Sequence, residues 1–285
     1  MIALVFISLM MTDLPKATQV SVESNRTMLR NVSFAMTAEI RGRAQAGAGI
    51  ASRKEKAMVV ADSGGSLKAE IESDRANGQI LKERFYATNE ETTRYLDRTN
   101  PKTGKKETIC LIDQGRPISL SVDIYQLFYL GRFHPANYTR SFKFVNGWEK
   151  CELDGESVER IDWEAEDPEP AVSSRKGSFW FSPSKNYAVL KSVEYRRPKP
   201  EVEWKETDQQ LSSNFVQSNG FWFPTRAKLI THRYYDNGNY EFGSEVDVIL
   251  RDVELNKKLP QDFFTPKIPD GTRVFNRKWG VDYIQ

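Results

Sequence analysis

Few side chains in this 285-residue chain combine the type and the spacing that catalysis requires. The two histidines, His134 and His232, do not stand at metal-ligand spacing from each other or from a cysteine. Residues 63–66, Ser-Gly-Gly-Ser, are typical of a turn and not of a nucleophile elbow. The sequence contains no P-loop and no dinucleotide glycine fingerprint. We therefore predict that the protein is not an enzyme, holds no metal and uses no cofactor.

Two alternatives to this prediction rest on carboxylates. Asp162, Glu164, Glu166 and Asp167 form an acidic run, which favours a solvated edge, with a weak cation site as the alternative. The carboxylates of a glycosidase are recognised by their separation in space and not in sequence, so a hydrolase stays open as an alternative function. In its segment, His232 lies among the alternate residues that are charged, such as Arg226 and Lys228, and it is therefore predicted to be a surface residue.

Aromatic residues are better candidates for function than these polar ones. Phe179-Trp180-Phe181 and Phe221-Trp222-Phe223 are two aromatic triplets, each followed within two residues by proline. Adjacent residues of a strand point to opposite faces, so each triplet places aromatic rings on both sides of a sheet. The simplest interpretation is that one ring packs in the core and its neighbour packs under a helix or loop. Together the triplets also favour an apolar cavity that accepts a lipid.

The second triplet begins the longest patterned stretch of the chain, residues 220–255. Apolar residues there alternate with charged ones, which indicates a strand with one buried and one solvated face. Asp236-Asn237-Gly238-Asn239 interrupts the pattern with residues that close hairpins. Alternation then resumes through Val246, Val248 and Leu250. The stretch predicts a long antiparallel pair of strands.

Similar alternation occurs along most of the chain and predicts about ten or eleven strands. One exception is residues 119–132, apolar on most sides, which predict a buried helix too short to cross a membrane. A weaker pattern predicts a short helix at 18–29. The tail from 259 to 285 carries three prolines and is predicted to be extended without regular strands.

Composition limits the classes of function. The chain has 41 basic and 39 acidic residues and a net charge of +2, which gives no support for nucleic-acid binding. Cys110 and Cys151 are the two cysteines, and the sequence leaves open whether they are bonded. Ile2–Met11 has the length of a signal-peptide apolar region, although no Lys or Arg precedes it. We predict a signal or N-terminal segment at 1–17 and a single domain at 18–285.

Several C-terminal segments resemble a known family, the LolA-like lipoprotein-sorting and lipid-binding proteins. The first is the hairpin that reads GSFWFSP at residues 177–183 and YAVLK at 187–191. The second is GFWFP at residues 220–224, where aromatic residues precede a proline. The third is the ending, FFTP at 263–266 and IPDGTRV at 268–274. The resemblance covers about residues 148–283 by motif and 32–113 by strand pattern alone.

This resemblance implies a mainly β (α+β) fold: a single curved antiparallel sheet forming an open, unclosed β-barrel, with one or two helices in its mouth. It implies a non-enzymatic protein of the periplasm or cell envelope that binds an acyl chain or a lipoprotein lipid anchor between the sheet and a lid helix, a lipoprotein carrier being one such case. The alternative is an envelope sensor or scaffold of the same fold that binds another envelope protein.

The predicted cavity is lined by the apolar face of the strands and by the predicted helix at 119–132. The helix would act as a lid that competes with the acyl chain for one apolar surface, and a permanently packed core helix is the alternative. The predicted ligand-binding residues are Phe34, Met36, Ile40, Tyr125, Phe128, Phe179, Phe181, Phe221, Phe223 and Leu229.

Overall fold

The computed structural model describes residues 29–43, 49–74, 80–88, 91–99, 104, 106–114, 142–165 and 174–285. Regular structure within these residues is almost entirely strand, as the alternation predicts. The strands are β1 Asn31–Arg43, β2 Ile50–Asp62, β3 Leu67–Asp74, β4 Ile80–Ala87, β5 Glu91–Thr99, β6 Lys106–Gln114, β7 Phe142–Leu153, β8 Glu156–Ala165, β9 Ser174–Ser182, β10 Ala188–Arg197, β11 Lys205–Ser218, β12 Phe221–Tyr234, β13 Tyr240–Leu255, β14 Arg273–Asn276 and β15 Val281–Ile284.

These strands pair in the order β15-β14-β6-β5-β4-β3-β2-β1-β13-β12-β11-β10-β9-β8-β7. Consecutive strands from β2 to β6 and from β7 to β12 pair antiparallel, and only a few residues of sequence separate the two strands of each pair. One pair departs from the antiparallel prediction, since β14 runs parallel to β6. Among the described strands β7 and β15 are the edges, so the sheet is open as predicted.

The number of strands and the structure of the tail were predicted wrongly. The described residues form fifteen strands instead of about ten or eleven, and two of these, the short strands β14 and β15, lie in the tail. Proline excludes a regular strand only where it removes a donor from the ladder. Pro260, Pro266 and Pro269 all precede β14, and residues 273–284 contain no proline. The tail can therefore return to the sheet after the last proline.

The predicted helices are not confirmed. The segments 119–132 and 18–28 lie outside the described residues. Within the residues that the structure describes, the only helical element is a single 3-10 turn, Pro183–Lys185. No helix in the described ranges has the length and apolarity that a membrane crossing needs.

Two compact units divide the chain. Among the described residues, unit 1 comprises 41–43, 49–52, 142–165 and 174–248. Unit 2 comprises 29–40, 53–114 and 249–285, with the same gaps. The long strands β1, β2 and β13 contribute residues to both. The prediction of a single domain at 18–285 stays a prediction.

Unit 2 has the simpler core. Every second residue of β1 is buried from Val32 to Ala38, and the residues between are half-buried or exposed. This is the alternation that the sequence predicts, and β3 repeats it at Leu67, Ala69 and Ile71. A second cluster joins Tyr95, Cys110 and Ile112 to Val274 of β14. The returning tail strand thus completes the core of unit 2.

Candidate functional site

An aromatic cluster lies on one face of β8, β9 and β10 in unit 1. Its members are between 2% and 6% exposed, and they are Ile161, Trp163, Phe179, Phe181 and Val189. The strand register explains why they meet, because Ile161 lies opposite Phe179 and Val189 lies opposite Phe181. The rings of Phe179 and Phe181 are 6.1 Å apart, and the ring of Trp163 stacks 6.2 Å from Phe179.

Three half-buried aromatic residues, Phe144, Trp148 and Tyr187, pack against this aromatic cluster. Trp148 of β7 packs 5.3 Å from the ring of Phe181, and Tyr187 meets Trp148 edge-on at 6.2 Å. The 3-10 turn between β9 and β10 positions Tyr187, since Asn186 and Tyr187 both have a φ near +50° to +60°. The Ser182 side chain caps the turn by accepting a hydrogen bond from the Lys185 amide. The predicted hairpin at 177–191 thereby places its tyrosine against the cluster.

Gly177 gives the Trp163 indole the room it needs. A Cβ added at Gly177 would lie 2.6 Å from Cζ2 of Trp163 and 2.2 Å from the Val193 carbonyl oxygen. No side chain fits in that space without moving the backbone or the ring. Position 177 therefore contributes no side chain to the aromatic cluster, and the first cluster member along β9 is Phe179.

The middle residue of the first triplet faces the other side of the sheet, as strand geometry predicts. Arg160 lies 5.4 Å from the centre of the Trp180 ring and Lys191 lies 5.0 Å from it. Arg160 also pairs with Asp162 at 2.9 Å, and Asp162 accepts a hydrogen bond from Ser178. The side of β9 that carries Trp180 is thus a cationic and aromatic surface, and the opposite side is apolar at Phe179 and Phe181.

The second triplet does not join the aromatic cluster across the sheet. Phe221 and Phe223 are buried with their rings 6.4 Å apart, and Leu229 of the same strand is half-buried. They lie on β12, three strand spacings from β9, which is about 14 Å. The structure therefore brings the members of each triplet together but keeps the two pairs apart.

The other predicted ligand residues fall elsewhere. Phe34 and Met36 are each 1% exposed and Ile40 is half-buried, and all three belong to unit 2. Tyr125 and Phe128 lie outside the described residues. The ligand-binding role of the whole set stays a prediction.

A pair of acidic residues that the sequence did not single out lies beside the aromatic cluster. Glu194 of β10 stands directly opposite both Gly177 of β9 and Asp208 of β11. The register from Gly177 to Phe179 is continuous, so Glu194 shares the face of the cluster. Burial, together with the nearby Asp208 carboxylate, raises the pKa of Glu194 to about 7. Burial also raises the pKa of Asp208, against hydrogen bonding from Thr207 and the nearby positive charges.

These acids lie in a groove of about 1040 Å³, which we call the charged groove. It is lined by Arg175, Glu194, Arg196, Thr207, Asp208, His232, Arg233, Tyr234, Tyr235, Asp236 and Asn237. Arg175 and Arg196 are cross-strand neighbours on β9 and β10. Arg175 approaches Glu194 at 3.9 Å, and Arg233 donates to the Arg43 carbonyl at 2.9 Å. The alternating pattern of apolar and polar residues in this segment predicts that Glu194 lies on a solvated face. No nearby feature of the sequence links Glu194 to Asp208.

His232 is not the surface residue that its parity predicts. Its ring is half-buried and stacks on Tyr240 at 5.0 Å, with Phe242 edge-on at 6.1 Å. His232 also lies close enough to Asp208 for its charge to lower the pKa of that carboxyl. Among the described residues, no group of three or more His, Cys, Asp and Glu side chains could hold a metal ion. Cys110 and Cys151 are both free thiols.

Comparison with known proteins gives structural matches only. No family model and no curated protein matches the chain. It is similar to a DUF1329 family protein from Desulfovibrio piger ATCC 29098, with a TM-score of 0.50 and 14% identity over 89% of this chain and 98% of that one. It is also similar to a domain assigned to outer membrane lipoprotein sorting from Vibrio parahaemolyticus, with a TM-score of 0.49 and 11% identity over 87% and 94% of the two chains. For a LolA superfamily protein from Nitrosomonas europaea the TM-score is 0.41, with 14% identity over 87% and 97%.

The resemblance predicted from the sequence is thus confirmed as a similarity of fold. At these identities it is the fold that is shared, and function has to be argued from this chain's own residues.

Proposed function

We propose that this protein is a non-enzymatic cell-envelope protein that binds an acyl chain, either free or as the lipid anchor of a lipoprotein, at the aromatic cluster of unit 1. The observation that carries the proposal is the arrangement of Trp148 and Tyr187. Both are half-buried and both pack against the buried cluster, so they are the partly exposed part of an otherwise buried apolar surface. An envelope location and a carrier role are the finer parts of this proposal, and the structural neighbours named for lipoprotein sorting agree with them.

The gross binding energy of such a site is comparable with the cost of association. Burial of an acyl chain contributes about 0.8 kcal/mol per methylene, so a chain of about 14 to 16 carbons contributes roughly 11–13 kcal/mol before costs. Association and ordering cost about 4–15 kcal/mol. The net affinity therefore depends on how completely the chain is covered, and an aromatic-lined face supplies broad apolar contact at a low cost in side-chain entropy.

A brominated fatty acid tests the proposal, because bromine quenches tryptophan emission only on contact. We expect saturable quenching of the wild-type protein and a clear loss of that quenching in Trp148→Phe. Trp279→Phe is the matched control, since Trp279 belongs to unit 2 and is 69% exposed. Native mass spectrometry of protein purified from cells should show a bound lipid. Unsaturable quenching that is equal in the two variants, with no co-purified lipid, would overturn the proposal.

A second candidate function is binding of another envelope protein. It is favoured by β15, which has β14 as its only neighbour among the described strands. Every residue of β15 is exposed, including Ile284 at 73%. An exposed edge strand can pair with an extended segment of a partner. A stoichiometric protein captured without lipid, and lost on Tyr283→Pro, would favour this candidate over the first.

A further inference from the structure

We propose that the charged groove is a binding site for an oxyanion of the phosphate class, held by Arg175 and Arg196, and that anion binding is coupled to protonation of the Glu194–Asp208 pair. The site would take a phosphodiester or a phosphomonoester, whether free or as the head group of a lipid. This proposal does not depend on acyl-chain binding, because the groove and the aromatic cluster are lined by different residues.

The first argument is the pair of facing arginines at one end of the groove. Arg175 and Arg196 stand directly opposite each other, an arrangement in which like charges repel. Arg175 also pairs with Glu194 at 3.9 Å. Nε of Arg196 is buried, and within the described residues it has no hydrogen-bond partner. An anion between the two guanidinium groups would relieve the repulsion and accept from the buried donor.

The second argument concerns which anion fits. Each guanidinium group presents a planar fork of donors that matches two oxygens of a phosphate or a carboxylate. The two oxygens of a carboxylate lie in one plane with its carbon and match one such fork. The terminal oxygens of a phosphate group, three in a monoester and two in a diester, are arranged tetrahedrally, so different oxygens can accept from guanidinium groups on two sides. Two arginines on adjacent strands therefore favour the phosphate class.

The third argument is the acid pair beside the arginines. Glu194 and Asp208 would repel an anion while both are charged. Arg175 and Arg196 lower the pKa of both carboxyls against the effect of burial. An anion bound to the arginines cancels that positive charge, so it must favour uptake of a proton by the pair. The other ionisable groups facing the pair are His232 and Arg233 of β12, Asp236 of the following turn and Tyr240 of β13.

The size of the pH effect follows from the titration of Glu194. With its pKa at about 7, Glu194 is mostly protonated at pH 6 and mostly charged at pH 8. If the anion binds only the protonated form, the apparent affinity falls about tenfold between these two values. Phosphomonoesters themselves titrate near pH 6, so the probe must be a phosphodiester, whose charge is constant over this range.

Calorimetric titration of the whole protein with glycerophosphoglycerol at pH 6 and pH 8 tests the inference. We expect saturable binding that is about tenfold weaker at pH 8. Arg196→Gln should abolish binding at both pH values. Arg226→Gln is the matched control, since Arg226 is an exposed arginine of β12 that pairs with Asp247 at 2.7 Å and does not line the groove. Circular dichroism of each variant verifies that it is folded.

Glu194→Gln is the variant that decides the coupling. It fixes the side chain in a neutral form, so we expect tight binding at pH 8 and a loss of most of the pH dependence. If Glu194→Gln keeps the full pH dependence, or if Arg196→Gln binds as the wild type does, the inference is wrong.

Inorganic phosphate and short-chain phosphatidylglycerol serve as further probes of the source of the phosphate. Equal affinity for these two and for glycerophosphoglycerol indicates a free phosphate site. Much tighter binding of the lipid indicates a head-group site. Phosphodiester binding without any acyl-chain binding would support this inference while contradicting the proposed function.

Discussion

Glu194 and Asp208 lie directly opposite each other on β10 and β11, in a half-buried position beside two arginines. Two acids at facing positions of a sheet destabilise it when both are charged. Burial increases the effect, because it disfavours the charged form of each carboxyl. Arg226 and Asp247, by contrast, carry opposite charges and form an ion pair at 2.7 Å.

Glu194 is expected to make the stability of the protein depend on pH. Its pKa is about 7 in the folded protein and 4.5 in its ordinary state, so between these values the folded state binds the proton more strongly. Stability must therefore fall as the pH rises from about 4.5 to 7, and the loss persists above that range. Relative to the wild type, Glu194→Gln should be roughly 3 kcal/mol more stable at pH 8, because about 2.5 pKa units at about 1.36 kcal/mol each are involved, and little changed at pH 4.5.

Urea unfolding of both proteins at the two pH values measures this difference. Glu70→Gln, at an exposed position on β3, is the matched control for loss of a carboxylate. A stability difference between Glu194→Gln and wild type that is the same at both pH values would contradict the prediction.

Gly177→Ala should destabilise unit 1. The added Cβ would meet the Val193 carbonyl oxygen at 2.2 Å and the Trp163 ring at 2.6 Å, and overpacking of this kind costs about 1–3 kcal/mol. The near-ultraviolet circular dichroism of the tryptophans should change as well, because the Trp163 ring has to move. Gly49→Ala is the control, since a Cβ there has no atom within 4 Å. Equal denaturation midpoints for the two variants would argue against a tight Gly177–Trp163 contact.

The two cysteines should differ strongly in reactivity. Cys110 is fully buried in unit 2, and burial raises its pKa to about 11, so its reactive thiolate is scarce at neutral pH. Cys151 on β7 is half-buried. With Ellman's reagent at pH 8 we expect one thiol to react in the native protein and the second only after unfolding. Cys151→Ser should remove the first reaction; if the rapid reaction remains, Cys110 is accessible.

Phe34→Ala should cost about 3–5 kcal/mol of unfolding free energy, because Phe34 is 1% exposed in the core of unit 2. Ile40→Ala on the same strand should cost less, since Ile40 is half-buried. Acyl-chain uptake by Phe34→Leu, which keeps most of the apolar volume, tests whether Phe34 also contacts ligand. Uptake equal to that of the wild type would remove Phe34 from the predicted binding set.

Local pattern alone predicted much of the sheet. The alternation of Val32, Phe34, Met36 and Ala38 with other residues predicts β1, because successive side chains of a strand point to opposite faces and only one face is buried here. Turn chemistry at residues 62–65 located the β2–β3 hairpin, where Ser66 donates to the Asp62 carboxylate. The pattern does not predict the tail strands, because the three prolines at 260–269 disfavour a strand only in their own part of the tail and not at residues 273–284.

Tertiary structure decided which residues meet. The sequence determined that Phe179 and Phe181 share a face, since that follows from their spacing of two, and that Trp180 points away. It did not determine that Glu194 faces both Gly177 and Asp208, because cross-strand neighbours depend on register, and register is set by hairpins and bulges elsewhere in each strand. The charged groove gathers side chains from β9, β10, β11 and β12 in this way, so its arginines and acids look like ordinary strand residues until the strands are paired.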